Sequence, residues 1–139
     1  MFRFEKLDAW QMAVELADRV YVVTGTFPDN ERFGLTSQMR RSVVSISSNI
    51  AEGSGRASDA DFARFLEIAY GSLMEVVSQS RVAKLQGFLK PNEYEEVYQA
   101  SERLARIISG LRSSLTGRNA KRPVSGPRPS TLDPRPNNV

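Results

Sequence analysis

The spacing of apolar residues predicts a helix near the middle of this chain. Within residues 31–55, ERFGLTSQMRRSVVSISSNIAEGSG, apolar side chains recur every three or four positions, at Leu35, Met39, Val43, Ile46 and Ile50. Most other positions of this segment are small, including Ser42, Ser47 and Ala51, where a lone surface helix would have Lys and Glu. We therefore predict an inner helix that neighbouring helices approach on several sides, and that another subunit also meets.

The same periodicity predicts three further helices. The four predicted segments are residues 6–24, 31–52, 59–86 and 91–115. Gly53 and Gly55 are predicted to stop the second helix and Gly87 the third. No segment has the turn-flanked alternation of a strand. Because connections of about five residues between long helices favour antiparallel neighbours, the predicted fold is all-α, an antiparallel up-down-up-down four-helix bundle.

Aromatic residues at helical spacing are predicted to lie in the core of this bundle. They are Trp10, Tyr21, Phe62 and Phe65. They are not interleaved with basic residues, as a base-stacking surface would require.

Charge is distributed unevenly along the 139 residues, whose formal net charge is +3. Residues 1–116 hold 14 basic and 15 acidic side chains. Residues 117–139 hold five basic side chains and one acidic side chain, Asp133. The second segment also contains five of the seven prolines and has no periodic apolar residues. We predict a bundle domain over residues 1–116 and a disordered, basic, proline-rich tail over 117–139.

Two missing residue types narrow the possible chemistry. The chain contains no cysteine and no histidine, so thiolate metal sites and Ser-His or Cys-His nucleophiles are excluded. Glu52, Glu67 and Glu75 could supply oxygen ligands, but the di-iron bundle pattern needs Glu-x-x-His. No run approaches the roughly 18 apolar residues of a membrane span. We expect a cytoplasmic protein that is not an enzyme and has no cofactor, metal, membrane contact or small-molecule substrate.

The adjacent Arg40 and Arg41 point about 100° apart on a helix and have two interpretations. In the first interpretation, both arginines form ion pairs with carboxylates such as Glu75 or Glu52, within the subunit or across a subunit contact. Alternatively, they contact phosphate or an acidic protein partner.

Other basic residues are candidates for an exposed patch. They are Arg56, Arg64, Arg81 and Lys84, and the alternative is an ordinary solvated face. Asn49 and Glu52 are interpreted as buried polar groups that fix helix register, since a single Glu without a second positioned group is weak evidence for hydrolysis.

The run GLTSQMRRSVVSISSNIAEGSGR resembles the signature of small bacterial four-helix-bundle proteins, also called 23S rRNA intervening-sequence proteins. These are similar to the accessory variability protein of diversity-generating retroelements. The flanking segments FEKLDAWQMAVELADRVY and DFARFLEIAYGSLMEV agree with this resemblance, which extends over about residues 2–115. The resemblance implies a homopentamer whose subunits pack side by side.

The resemblance also implies a function. Retroelement relatives bind their reverse transcriptase and template RNA, so we expect a non-catalytic oligomeric scaffold for RNA or for a nucleic-acid enzyme such as a reverse transcriptase. The alternative is a protein–protein assembly module without a nucleic-acid partner. The expected binding residues are Arg40, Arg41, Arg56, Arg64, Lys121 and Arg122.

Overall fold

A computed structural model describes residues 1–119 of the chain. Single 3₁₀ turns at Arg3–Lys6 and Asp29–Glu31 precede the first two helices. The α-helices are α1 (Asp8–Thr24), α2 (Leu35–Ser54), α3 (Asp59–Leu85) and α4 (Pro91–Asn119). The described part of the chain contains four α-helices and no strand, which confirms the predicted all-α class.

The helix boundaries differ from the prediction mainly around α2. This helix starts at Leu35 rather than residue 31, because the preceding residues form a 3₁₀ turn and the Leu35 N–H donates to Glu31 Oε1 at 3.0 Å. At the other end of the chain, α4 continues to Asn119, three residues into the predicted tail. Lys121 and Arg122 lie outside the described residues.

Each helix packs against two others. α1 contacts α2 and α4, and α3 contacts the same two helices. Four of the five apolar residues predicted to face inward from α2 lie in the core between these helices, and all four are 0% exposed: Met39, Val43, Ile46 and Ile50. The fifth, Leu35, is partly buried. Within residues 1–119, no helix combines the length and apolar content that crossing a membrane requires.

The four aromatic residues predicted to be core residues have different environments. Phe62 and Phe65 are buried and Trp10 is half-buried, but Tyr21 is 44% exposed. The assignment of Tyr21 to the core was therefore wrong. Its ring instead lies beside a cation, with Arg40 Cζ 4.5 Å from the ring centroid.

Gly53 is a packing residue rather than a helix stop. α2 passes through Gly53 and ends at Ser54, with Gly55 at the C-cap. A Cβ atom at Gly53 would lie 2.7 Å from Phe65 Cβ and 2.9 Å from Phe62 Cδ1. The end of α2 can approach α3 this closely only because position 53 has no side chain.

Short polar side chains join α2 and α3 further along. Ser42 Oγ donates to Glu75 Oε1 at 3.2 Å, and the hydroxyls of Ser45 and Ser72 are 2.9 Å apart. The small residues predicted to permit close helix approach thus also supply hydrogen bonds across the contact.

Candidate nucleic-acid interface

Arg56 and Arg64 stack on the same aromatic ring. Arg56 follows the end of α2, and Arg64 lies in the second turn of α3. Their Cζ atoms lie 4.6 and 4.8 Å from the centroid of the Phe65 ring. The short connection between the two helices brings the two guanidinium groups together, as expected of members of one basic patch.

A third arginine reaches the same end of α2. Arg3 Nη1 donates to the Ser54 carbonyl oxygen at 3.0 Å, and Arg3 Cζ lies 5.3 Å from the Phe62 ring centroid. The donated hydrogen bond satisfies one of the carbonyl groups that the end of a helix leaves without an intrahelical partner. We call Arg3, Arg56 and Arg64 the arginine cluster.

Carboxylates partly neutralise the arginine cluster. Arg56 pairs with Glu52 at 2.8 Å, and Arg64 pairs with Asp61 at 3.3 Å. All four side chains are between 40% and 57% exposed. Ion pairs this exposed contribute about 0–1 kcal/mol, so a phosphate can compete with either carboxylate. The Glu52 pairing also corrects the interpretation of Glu52 as a buried register residue, because it is exposed.

The end of α4 lies beside the arginine cluster. Thr116, near that end, lines a groove of about 340 Å³ together with Arg64 and Ala60. Arg112, one turn earlier, pairs with Glu67 of α3. Arg64 and the Thr116 turn of α4 therefore line the same groove.

Arg40 does not belong to this site. Its Nε donates to Thr24 Oγ1 at 2.9 Å and its Nη2 to the Tyr21 carbonyl oxygen at 3.3 Å. Both acceptors lie in the last turn of α1. The pairing with Glu52 or Glu75 within the subunit, which was one prediction for Arg40, is wrong.

Arg41 is also separate from the arginine cluster. Arg41 lies about 20 Å along α2 from Ser54, the end of the helix that Arg56 follows. Arg41 is exposed, and among the described residues it has no hydrogen-bond, ion-pair or aromatic partner. The prediction that it pairs with Glu75 or Glu52 within its own subunit is wrong as well.

The predicted patch of four basic residues divides into two groups. Arg81 and Lys84 lie beside Tyr94, with Arg81 Cζ 6.0 Å and Lys84 Nζ 4.7 Å from the ring centroid. They are therefore apart from Arg56 and Arg64. Arg3 was missed by sequence reasoning, since its role depends on Ser54 and Phe62, which are more than fifty positions away.

The carboxylates considered as metal ligands point to different partners. Glu52 pairs with Arg56, Glu67 with Arg112, and Glu75 accepts from Ser42. In the part of the chain that the structure describes, no three acidic residues come together as a metal site would need.

Comparison with known proteins gives one matching family model and a similar solved structure. The model of a family described as "23S rRNA-intervening sequence protein" matches residues 5–110. A crystal structure from Bacteroides thetaiotaomicron, described as a protein of unknown function from the S23 ribosomal protein family, has a TM-score of 0.70 at 22% identity. The match covers 76% of this chain and 95% of that one, and it supports the fold. No curated protein matches.

Proposed function

Because the chain belongs to the 23S rRNA-intervening sequence protein family, we propose that it is a non-catalytic, oligomeric scaffold that binds RNA through the arginine cluster and the basic tail. A nucleic-acid enzyme, such as a reverse transcriptase, is the protein partner we propose for the same scaffold. The proposed compartment is the cytoplasm.

The strongest support for the RNA site is that Arg56 and Arg64 both stack on the Phe65 ring, beside the end of α4. Stacking restricts both guanidinium groups before a ligand arrives, so less side-chain entropy is lost on binding. Guanidinium groups also match the geometry of phosphate oxygens. The five basic residues beyond position 116 would add further phosphate contacts from the adjoining segment.

Binding of this kind depends on phosphate charge and not on base identity. Each phosphate neutralised by an arginine releases condensed counterions, so affinity falls steeply with salt. The arginine cluster has no free aromatic face for a base, because Phe65 and Phe62 are buried. We therefore propose a site with little sequence preference.

The proposed scaffold is an antiparallel up-down-up-down bundle. This arrangement is supported by which parts of neighbouring helices meet. Ser42, early in α2, meets Glu75 in the second half of α3, and Gly53, at the end of α2, meets Phe62 near the start of α3. Connections of four and five residues on either side of α3 also favour antiparallel neighbours. We propose five subunits, which is the number that the family resemblance implies.

Filter binding of a single-stranded RNA tests the proposed site. We expect R56Q/R64Q to bind at least ten-fold more weakly than wild type at low salt. The salt dependence, as the slope of log K against log salt, should fall by about 0.7 for each phosphate group that the protein no longer neutralises. The matched control is R81Q/R103Q, which removes the same charge from the exposed Arg81 and from Arg103, an exposed residue of α4.

Two results would contradict the proposal. Equal weakening in both double variants would show that overall charge matters and that the arginine cluster is not a site. If wild-type protein fails to bind RNA at low salt, the assembly module without nucleic acid becomes the better function. The exposed Phe33 and Leu85, 89% and 72% accessible, favour that second function.

A further inference from the structure

A pocket lies at the opposite end of α2 from the arginine cluster. Its volume is about 670 Å³. Tyr21 of α1 lines one side, and Arg32 and Phe33, which come just before α2, line another. The first half of α2 forms the rest. We call this surface the Tyr21–Phe33 pocket, and its size is that of a site for a bound molecule rather than for a single ion.

The helical repeat of α2 determines which side chains reach this pocket. Two rows with a spacing of four residues line it: Thr36, Arg40 and Val44, and beside them Ser37, Arg41 and Ser45. The short hydroxyl side chains leave open space between the two long arginines. Met39 and Val43 lie on the core side of the same turns and are 0% exposed, so the pocket is on the outer face of α2.

Three guanidinium groups line the Tyr21–Phe33 pocket, and none of the described residues that line it is acidic. Arg40 donates only to neutral acceptors, namely Thr24 Oγ1 at 2.9 Å and the Tyr21 carbonyl oxygen at 3.3 Å. Arg32 and Arg41 form no ion pair within residues 1–119. Three positive charges therefore meet here without a carboxylate to neutralise them.

The carboxylates of neighbouring elements have other contacts. Glu31 accepts a hydrogen bond from a backbone N–H at the start of α2. Glu75 accepts from a serine of α2 and lines an adjoining groove that Arg41 also borders. An incoming acidic group therefore meets less competition here than at the arginine cluster, where Glu52 and Asp61 already pair with arginines.

Apolar surface lies beside these charges. Phe33 is 89% exposed, Tyr21 44% and Val44 40%. Arg32 Cζ lies 5.5 Å from the Phe33 ring centroid, and Arg40 Cζ lies 4.5 Å from that of Tyr21. Contacts between proteins are enriched in aromatic residues and arginine, which combine apolar area with directed hydrogen bonds. The pocket is thus suited to an apolar side chain that has acidic groups next to it.

We propose that the Tyr21–Phe33 pocket docks an acidic segment of a protein partner, whose apolar side chain packs on Phe33 while flanking carboxylates pair with Arg32 and Arg41. This inference rests on the protein-partner part of the proposed function and gives that partner a surface. A guanidinium can donate two parallel N–H bonds to one carboxylate. RNA is the poorer occupant, because Arg32 and Arg40 already lie over the rings on which a base would stack.

Selection from a random peptide library displayed on phage, with the full-length protein as target, provides a probe for this pocket. We expect the enriched peptides to share acidic residues on both sides of an aromatic or aliphatic residue. The most enriched peptide is then synthesised with a fluorescent label, and its affinity is measured by fluorescence anisotropy. Enrichment of basic or uncharged peptides alone would contradict the proposal.

Variants of the full-length protein test where the labelled peptide binds. F33A and R32Q/R41Q should each bind it at least ten-fold more weakly than wild type. Two matched controls should bind it like wild type: L85A, which truncates an apolar side chain that is 72% exposed, and R81Q/R103Q, which removes the same charge from exposed positions. Far-UV circular dichroism should show unchanged helix content in every variant.

Three results would show that the pocket has another role or none. If F33A binds the peptide as tightly as wild type, or if L85A weakens binding equally, the pocket is not the docking site. If RNA displaces the peptide and F33A weakens RNA binding, the pocket belongs to RNA. If F33A changes the mass measured by sedimentation, the pocket lies between subunits and is closed to a partner.

Failure of this inference can be distinguished from failure of the RNA site. Wild-type protein that binds the acidic peptide but no RNA would refute the RNA part of the proposed function and support this docking surface. Wild-type protein that binds RNA, while selection yields no acidic peptide, would refute the docking surface alone.

Discussion

At the scale of single residues, two glycines in helices should respond oppositely to the same substitution. Gly53→Ala places a methyl group 2.7 Å from Phe65 Cβ, so we expect a destabilisation of about 1–3 kcal/mol from overpacking. Gly71→Ala meets nothing within 4 Å in the middle of α3 and should stabilise by about 0.5–1 kcal/mol through helix propensity.

Urea denaturation of the two alanine variants at equal protein concentration measures this difference. Because both substitutions remove the same conformational freedom from the unfolded chain, their difference reports the contact of α2 with α3. If the Gly53→Ala variant is as stable as the Gly71→Ala variant, the close approach of α2 to α3 at Gly53 is refuted.

The role of Gly53 also illustrates what the sequence can and cannot predict for a residue. A glycine near the end of a helical pattern is typical of a C-cap, so the sequence favoured a helix stop. The actual reason lies in Phe62 and Phe65, which come from the next helix. Likewise Tyr21 fits the apolar period of α1, but its exposure depends on where Arg40 of α2 lies. Periodicity predicts which residues share a face, not what covers that face.

At the scale of helices, Arg40 connects α2 to the end of α1. Replacing it with methionine removes two hydrogen bonds and the contact with Tyr21, and we expect the free energy of unfolding to fall by about 1–2 kcal/mol. RNA affinity should not change, because the arginine cluster is elsewhere.

Thermal unfolding and filter binding of the same preparation check both parts of this expectation. Arg103→Met is the matched control, since Arg103 is exposed and has no partner among the described residues. If Arg40→Met instead weakened RNA binding and left stability unchanged, Arg40 would be a binding residue as the sequence suggested.

Helix ends were predictable where the signal is local. Ser58 is the N-cap of α3 and accepts from the Asp61 N–H at 3.1 Å, and Gly87, which was predicted to stop α3, follows it with a φ of 80° that favours glycine. The start of α2 was not predictable in this way. Glu31 fits a helical pattern, but its carboxylate caps Leu35 from outside the helix.

At the scale of the molecule, the sequence identified basic residues without indicating which would meet. Arg56 and Arg64 come together because α2 and α3 are joined by a short connection, which a pattern of helices does predict. The separation of Arg40 and Arg41 from them follows from the length of α2. Arg3 belongs to the arginine cluster because it contacts Ser54 and Phe62, which are distant in the sequence and come close only when the chain folds.

The proposed oligomer would display one arginine cluster and one basic tail from every subunit. Linked sites raise the effective concentration of each contact, so an RNA that spans several subunits gains avidity without any new type of contact.

This arrangement predicts the effect of removing residues 120–139. That segment holds Lys121, Arg122, Arg128 and Arg135 against Asp133, so its removal takes the formal net charge from +3 to zero. The last buried core residue of the described chain is Leu115, so the melting temperature should not change. RNA affinity should fall, and the salt slope should become shallower by about 0.7 for each phosphate that is no longer neutralised.

A full-length variant in which those four basic residues are glutamine separates charge from chain length. If it matches the truncated protein in affinity and slope, the tail acts through its charge. If it matches wild type, the weaker binding on truncation comes from some other property of the segment. Equal binding by all three proteins would place the RNA contacts on residues 1–119, where Arg56 and Arg64 are the first residues to replace.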